Sequence, residues 1–381
     1  MKTKLIRAST VPQSLATFCN GFLKELSEDY EVVALSSHGE AMSFIAEHEG
    51  IRTIAVDMER HISFKKDIIS LWLLMKVLRK ERPAIIHSIT PKAGLLCMVA
   101  AWVTRVPYRI HTFTGLVFPT STGLKRKVLM LTDWITCACA THIIPEGEGV
   151  KEDLLNYRIT RKPIKVLGYG NVRGVDLVHY DRTIKVIKEA ENIEDKTLFT
   201  FVFIGRIVRD KGINELIEAA KRLQCESYKF RILLVGPFED DLDPINERTK
   251  DFIIKSSCIK AVGRQNDVRP WLAASDVLVF PSYREGFPNV VLEAGAMGLP
   301  SIVTDINGSR EIIQNGVNGI IIPFQNVDAL YHAMKDFLDN PEEVKRMSST
   351  ARGIITERYE QSFVRKCQKD FYKEILGNNI H

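Results

Sequence analysis

Residues 276–305 read DVLVFPSYREGFPNVVLEAGAMGLPSIVTD, and the fold can be read from them. Asp276–Phe280 and Ser301–Val303 are short β-rich runs of strand length. Between them, Asn289–Met297 is apolar around most of its circumference, which predicts a buried helix. Pro288 suits the first turn of that helix, because its ring fixes φ close to the helical value. A strand, a loop, a helix and a second strand in about thirty residues make a βαβ unit, whose strands lie parallel.

The same rhythm extends outward in both directions. Phe199–Ile204 and Phe230–Val235 predict strands flanking a helix at Ile213–Leu223. In the N-terminal half, strands are expected at Lys4–Ala8, Glu31–Ser36, Arg52–Val56, Ala84–His87 and Arg109–Thr112. Helices at Leu15–Leu26, Ala41–Glu49, Ile68–Arg79 and Lys92–Thr104 alternate with them. The two series are separated by Gly168-Tyr169-Gly170-Asn171-Val172-Arg173-Gly174, three glycines in seven positions. The expected fold class is therefore α/β, with two similar parallel-sheet domains over residues 1–175 and 176–355 and a terminal segment over 356–381. No repeat shows at the level of single residues.

The chain has 381 residues, which suits two domains that each bury a core. Lys+Arg is 52 against Asp+Glu 47, too small an excess for a nucleic-acid binder. Residues 1–180 carry 24 basic and 17 acidic side chains and the remainder 28 and 30, so the excess is N-terminal. Such a half suits an anionic membrane surface or a phosphorylated acceptor, with scattered surface lysines as the plain alternative. Seven cysteines without a C-x-x-C pair argue for a reducing compartment and against structural zinc. No signal peptide is expected at the N-terminus. The longest apolar stretch, Ala93–Thr104, is too short to span a bilayer, which takes about 20 residues.

In open parallel sheets, ligands bind beyond the carboxyl ends of the strands. One candidate site follows Phe199–Ile204. Gly205 allows close backbone approach, and Arg206 and Lys211 could converge on an anion. The bland alternative is a solvated basic loop. A second follows Asp276–Phe280. There Glu285 precedes a helix whose first amides, at Asn289 and Val290, could hold a phosphate. Glu293 lies one to two turns inside, between apolar neighbours that suggest burial. Two carboxylates so placed could grip sugar hydroxyls on either side of a diphosphate.

Glu285 and Glu293 form an E-x7-E motif, with GRIVRDKG upstream at 205–212 and GNVRGVD at 170–176. In this the chain closely resembles the retaining glycosyltransferases of family 4, over almost its whole length. HSITPKAGLLCMVAA and RIHTFTGLVF, in the N-terminal half, resemble bacterial enzymes that extend polyprenyl-diphosphate-linked sugars for capsule, O-antigen or N-glycan assembly. The resemblance implies the GT-B fold, two Rossmann-like domains facing across a cleft, with a terminal helix (about Glu357 to Leu376) crossing back to the first.

Residue by residue, the resemblance implies that Arg206 and Lys211 hold the donor diphosphate and neutralise the leaving group. Glu285 stands at the donor sugar and Glu293 at the ribose. Gly286, Phe287, Pro288 and Asn289 wrap the sugar and phosphates. Val262, Gly263 and Arg264 read the nucleobase through their backbone, and His111 lies near the reacting sugar. A lone histidine at a strand end is, without the family, more often simply hydrogen-bonded. Many relatives carry a Gly-Gly pair after the first strand. Ser9–Leu15 has no glycine here, so a loop approaching a ligand would use the Ser14 and Leu15 amides. Lys92 is the other acceptor-side candidate, for the acceptor diphosphate.

The implied reaction moves a hexose or N-acetylhexosamine from a UDP-sugar to a polyprenyl-diphosphate-linked saccharide, with retention. It needs neither metal nor cofactor, because two cations and a helix dipole can stabilise the departing nucleotide. The D-x-D at Asp241–Asp243 is read as a solvated acidic loop. The implied location is cytoplasmic, at the inner face of a bacterial membrane, where Phe64–Lys66 and Gly123–Met130 could touch anionic lipid. Two rivals are a UDP-N-acetylglucosamine 2-epimerase and a non-catalytic nucleotide-sugar-binding subunit.

Overall fold

A computed structural model describes residues 2–59, 63–195, 197–239 and 243–377. The chain divides into two compact units, residues 1–173 with 362–381, and residues 174–361. The boundary falls beside the glycine-rich stretch. Gly174 has φ +69° and its Cα lies so close to Gln361 that a side chain would overlap that backbone.

Among the described residues, unit 1 has a six-stranded parallel sheet of β1 (Thr3–Ala8), β2 (Tyr30–Ser36), β3 (Arg52–Ala55), β4 (Ile85–Ser88), β5 (Tyr108–Phe113) and β6 (His142–Pro145). Its helices are α1 (Pro12–Cys19), α2 (Phe22–Leu26), α3 (Glu40–Glu49), α4 (Phe64–Glu81), α5 (Pro91–Val103), α6 (Gly123–Cys139) and α7 (Glu148–Asn156). Two separate apolar clusters cover the sheet. One gathers α4, α5 and α6 side chains such as Leu74, Cys97 and Cys137, the other α1, α2 and α3 side chains such as Leu15, Phe22 and Ile45.

Unit 2 repeats the plan with β7 (Phe199–Ile204), β8 (Phe230–Val235), β9 (Ile259–Gly263), β10 (Val277–Phe280), β11 (Ser301–Thr304) and β12 (Gly319–Ile322). Its helices are α8 (Ile184–Glu191), α9 (Ile213–Cys225), α10 (Glu247–Lys255), α11 (Arg269–Ala273), α12 (Asn289–Ala296), α13 (Ser309–Ile312), α14 (Val327–Asp339) and α15 (Pro341–Tyr359). The strand orders are β3-β2-β1-β4-β5-β6 and β12-β11-β10-β7-β8-β9. Counted within each unit, both are the 3-2-1-4-5-6 order of a Rossmann sheet, so the repeat invisible in residues is plain in topology. That order reverses between β7 and β10 in unit 2, leaving a crevice at their carboxyl ends.

The structure moves several boundaries. The helix expected at Leu15–Leu26 is two, because Gly21 (φ +71°) turns the chain between α1 and α2. A continuous helix from Glu357 is also cut. α15 stops at Tyr359, and the backbone there pairs with Val175, Val175 N donating to Tyr359 O and Gln361 N to Val175 O. α16 (Gln361–Gly377) then packs on the unit 1 sheet, where Phe371, Tyr372 and Ile375 enter its core. Tyr372 is buried, and Arg7 Nη1 donates to its hydroxyl at 2.6 Å. The unit limits are therefore 173/174 and 361/362 in place of 175 and 355. Asp241 and Leu242 of the D-x-D lie outside the described residues.

Candidate active site

The site in unit 2 is built where the strand order reverses. β7 is buried from Thr200 to Phe203 and releases the chain at Gly205, and β10 is buried throughout and releases it at Pro281. The two loops are stitched together by their backbones. Tyr283 N donates to Asp210 O at 2.8 Å, and Arg284 pairs with Asp210 at 3.2 Å. Gly212 closes this junction. At φ +72°, a Cβ on it would lie 2.0 Å from Pro281 O, so only glycine lets the Lys211 turn sit against the β10 loop.

This stitching brings Lys211 Nζ onto Glu285 Oε1, and both side chains are largely buried. Ser282 Oγ donates to the same carboxylate oxygen at 2.8 Å. Ser282 is itself fully buried, and its carbonyl accepts from Thr304 Oγ1 at the end of β11. Glu285 is thus aimed by a chain of contacts reaching across three strands. The Lys211 ammonium also lies 5.5 Å from the Phe280 ring centre, a cation–π contact.

Arg206, expected to converge with Lys211, has a separate partner. Its Nη1 lies 2.9 Å from Glu239 Oε2, and the side chain is half exposed. Each cation therefore carries its own carboxylate. Asp243 does more than solvate a loop. Its Oδ2 accepts from Asp210 N at 2.7 Å and its Oδ1 pairs with Arg209 at 3.0 Å, latching the turn that carries Lys211. Ser282 and Thr304 had no motif to reveal them, and the D-x-D that holds Asp243 pointed to a solvated loop, while the partners of all three are 3 to 33 positions away.

Pro288 is the residue before the helix; α12 begins at Asn289, as read from the sequence, and ends at Ala296, one position earlier than expected. Phe287 and Pro288 are buried, and the Phe287 ring packs 5.5 Å from Tyr359. Their side chains build the core, so only their backbone can reach a ligand. Asn289 and Val290 are half-buried at the helix start, and Glu293, one turn after Asn289, is buried as its apolar neighbours implied. Gly286 is fixed from the other side. Its carbonyl would be 2.5 Å from a Cβ on Gly308, which has φ +73°.

Val262 and Gly263 end the edge strand β9. Gly263 O accepts from Gly236 N at 2.9 Å, and Val262 O accepts from Gln265 Nε2 at 2.8 Å. Arg264 follows on the same edge. Tyr283 OH donates to Glu215 Oε1 at 2.6 Å, and burial with this bond pushes the phenol pKa up.

The unit 1 candidates stand differently. His111 is the fourth of six residues in β5 and not at its end. Its ring is buried, 2.9 Å from Ser88 Oγ and pressed against α5 at Gly94, where a Cβ would lie 2.4 Å from the ring. Burial lowers its pKa to about 3, so it is neutral at physiological pH. Ser14 and Leu15 are not in an open loop. Both lie in α1 and donate their amides to Val11 O at 3.0 and 3.4 Å. The loop before α1 folds instead against α5, where Ala93 N donates to Thr10 Oγ1 at 3.0 Å. Lys92 Nζ lies 2.6 Å from Asp67 Oδ1 and is largely buried.

A crevice at the reversal of a Rossmann sheet, with two cations, two glutamates and a helix start, suits an enzyme that handles a sugar diphosphate. The family model "Glycosyl transferases group 1" matches residues 185–353, and "Glycosyl transferase 4-like domain" matches residues 15–170. The UDP-Gal:alpha-D-GlcNAc-diphosphoundecaprenol alpha-1,3-galactosyltransferase of Escherichia coli is 31% identical over 84% of this chain and 82% of its own. The capsular polysaccharide biosynthesis glycosyltransferase CapM of Staphylococcus aureus is 28% identical over 93% of this chain and 92% of its own. Anabaena HepE, crystallised with UDP and glucose, superposes with TM-score 0.80 at 16% identity, over 98% of this chain and 100% of that one. The chain belongs to the family 4 glycosyltransferases, with the GT-B fold.

Proposed function

We propose that this glycosyltransferase moves a hexose or N-acetylhexosamine from a UDP-sugar to a polyprenyl-diphosphate-linked saccharide in bacterial surface polysaccharide assembly. The observation that carries the reading is the Lys211–Glu285 pair at the mouth of the unit 2 crevice, beside the start of α12. The names of the Escherichia coli and Staphylococcus aureus relatives support the acceptor class.

In this reading the donor diphosphate takes Glu285's place on Lys211, joined by Arg206 and the first amides of α12. These groups stabilise charge as the bond from the anomeric carbon to the β-phosphate oxygen breaks. Freed from Lys211, Glu285 accepts from donor sugar hydroxyls and Glu293 from the ribose. The new bond forms between the anomeric carbon and an acceptor oxygen on the same face, and the acceptor proton passes to the β-phosphate, which retains configuration. Lys211, Arg206 and the helix start supply the positive charge, and no metal enters the scheme. His111, sealed under α5, packs the acceptor unit and stays off the sugar.

A panel of UDP-sugars offered with short-chain prenyl-diphosphate saccharides tests this, with UDP release measured and the linkage assigned by NMR. The expected result is one α-linked product from one donor. Release of an epimerised sugar without acceptor, or a β-linked product, would overturn it.

A further inference from the structure

Unit 1 sets three helices side by side, α4 against α5 and α5 against α6. Their outward positions are unusual for a surface. Trp72 on α4, Trp102 at the end of α5 and Trp134 on α6 are 57%, 59% and 53% exposed. These are three of the chain's four tryptophans, while Trp271 packs on the unit 2 core. Two of them have exposed apolar neighbours at helical spacing: Ile68 and Ile69 before Trp72, and Leu131 before Trp134, with Leu124 two turns before Leu131 at 77% exposure.

Cations share the same face. Lys65, Lys66 and Lys76 on α4, and Lys125 and Lys127 on α6, point outward. Lys76 Nζ lies 5.5 Å from the Trp72 ring centre. Among the described residues, no carboxylate occupies an exposed position of α4, α5 or α6.

We propose that this three-helix face is a docking surface for an anionic bilayer, with Trp72, Trp102 and Trp134 as its interfacial anchors. Indole suits the headgroup level because its body is apolar while its N–H keeps a polar partner. Lysine stems lie along the apolar surface and carry their ammonium groups to lipid phosphates. Charge decides between occupants. A second copy seated on this face would set lysines against lysines, whereas an anionic leaflet complements them. Among the described residues, no helix is long and apolar enough to cross a membrane, so attachment through this face is peripheral. The inference takes its purpose from the proposed lipid-linked acceptor.

Flotation with phosphatidylcholine vesicles, with and without phosphatidylglycerol and without any acceptor, tests the proposal apart from sugar transfer. The protein should float with the anionic vesicles only, its indole emission should shift to the blue, and added salt should release it. The variant W72A/W102A/W134A should lose roughly tenfold or more of the binding. It should keep its melting temperature and its turnover of a water-soluble, short-chain acceptor, which separates lost docking from misfolding. The charge variant K65E/K76E/K127E should bind only weakly at low salt. Protein that ignores anionic vesicles, or a tryptophan variant that binds as well as the parent, would overturn the proposal. So would a parent dimer that the tryptophan variant turns into a monomer, which would make the face a contact between copies. Vesicle binding without transfer to any lipid-linked saccharide would sink the acceptor reading and leave the docking surface standing.

Discussion

Lys211 and Glu285 are 74 positions apart in the chain and share an ion pair in which both partners are largely shielded from solvent. Their meeting depends on the reversal of strand order between β7 and β10, which brings the two loops out side by side. In the proposed reaction a diphosphate takes Glu285's place on Lys211, and the Ser282 hydrogen bond keeps Glu285 aimed. This exchange leads to the first prediction.

Lys211→Ala should weaken UDP binding by about tenfold or more and lower kcat by roughly 10²–10³. Glu285→Gln should lower kcat over a similar range while binding UDP at least as tightly as the parent, because the anion that competes for Lys211 has gone. Calorimetric titration with UDP, beside steady-state kinetics, separates the two effects. Equal loss of UDP affinity in both variants would count against the exchange.

Gly212→Ala should be among the costlier single-methyl additions in unit 2. It meets both a left-handed backbone and the Pro281 carbonyl, and backbone strain of that kind costs about 1–3 kcal/mol. Asp243→Ala loosens the same turn without a clash. It should leave the melting temperature nearly unchanged and weaken UDP binding several-fold. Thermal unfolding and UDP titration of the two variants should therefore give opposite patterns.

Gly94→Ala presses a methyl group into the His111 ring, and overpacking of this type costs about 1–3 kcal/mol. Pairing it with His111→Ala should recover part of that loss, since the new methyl then fills space the ring has left. Denaturant unfolding of the two single variants and the double variant gives the coupling. Strict additivity would show that the ring and the helix do not press on each other.

Asp133 on α6 gives a pH signature. Burial pushes its carboxyl up to about 7, against an ordinary value of 3.8 in the unfolded chain. Between those values the folded chain holds a proton that the unfolded chain releases, so stability from this group falls as pH rises. Above about 7 the full cost is present. Asp133→Asn should therefore raise the melting temperature at pH 8 and leave it unchanged at pH 4. An equal gain at both would refute the raised carboxyl pKa.

Local pattern alone determined much of this protein. Strand and helix periods, with glycine at 205 and 212, are properties of neighbouring residues, so the α/β rhythm and the places where chemistry can sit were legible. So were the E-x7-E carboxylates and the burial of Glu293. Only the tertiary structure decided which charges meet. Arg206 pairs with Glu239, Asp243 latches a distant turn, and Ser282 aims Glu285, because hydrogen bonds and ion pairs depend on distances in space that spacing along a chain does not encode. The same holds for His111 and Lys92. Nothing in their spacing showed the burial and the partners on other elements that the structure gives them: the imidazole lies under Gly94, and the ammonium is on Asp67.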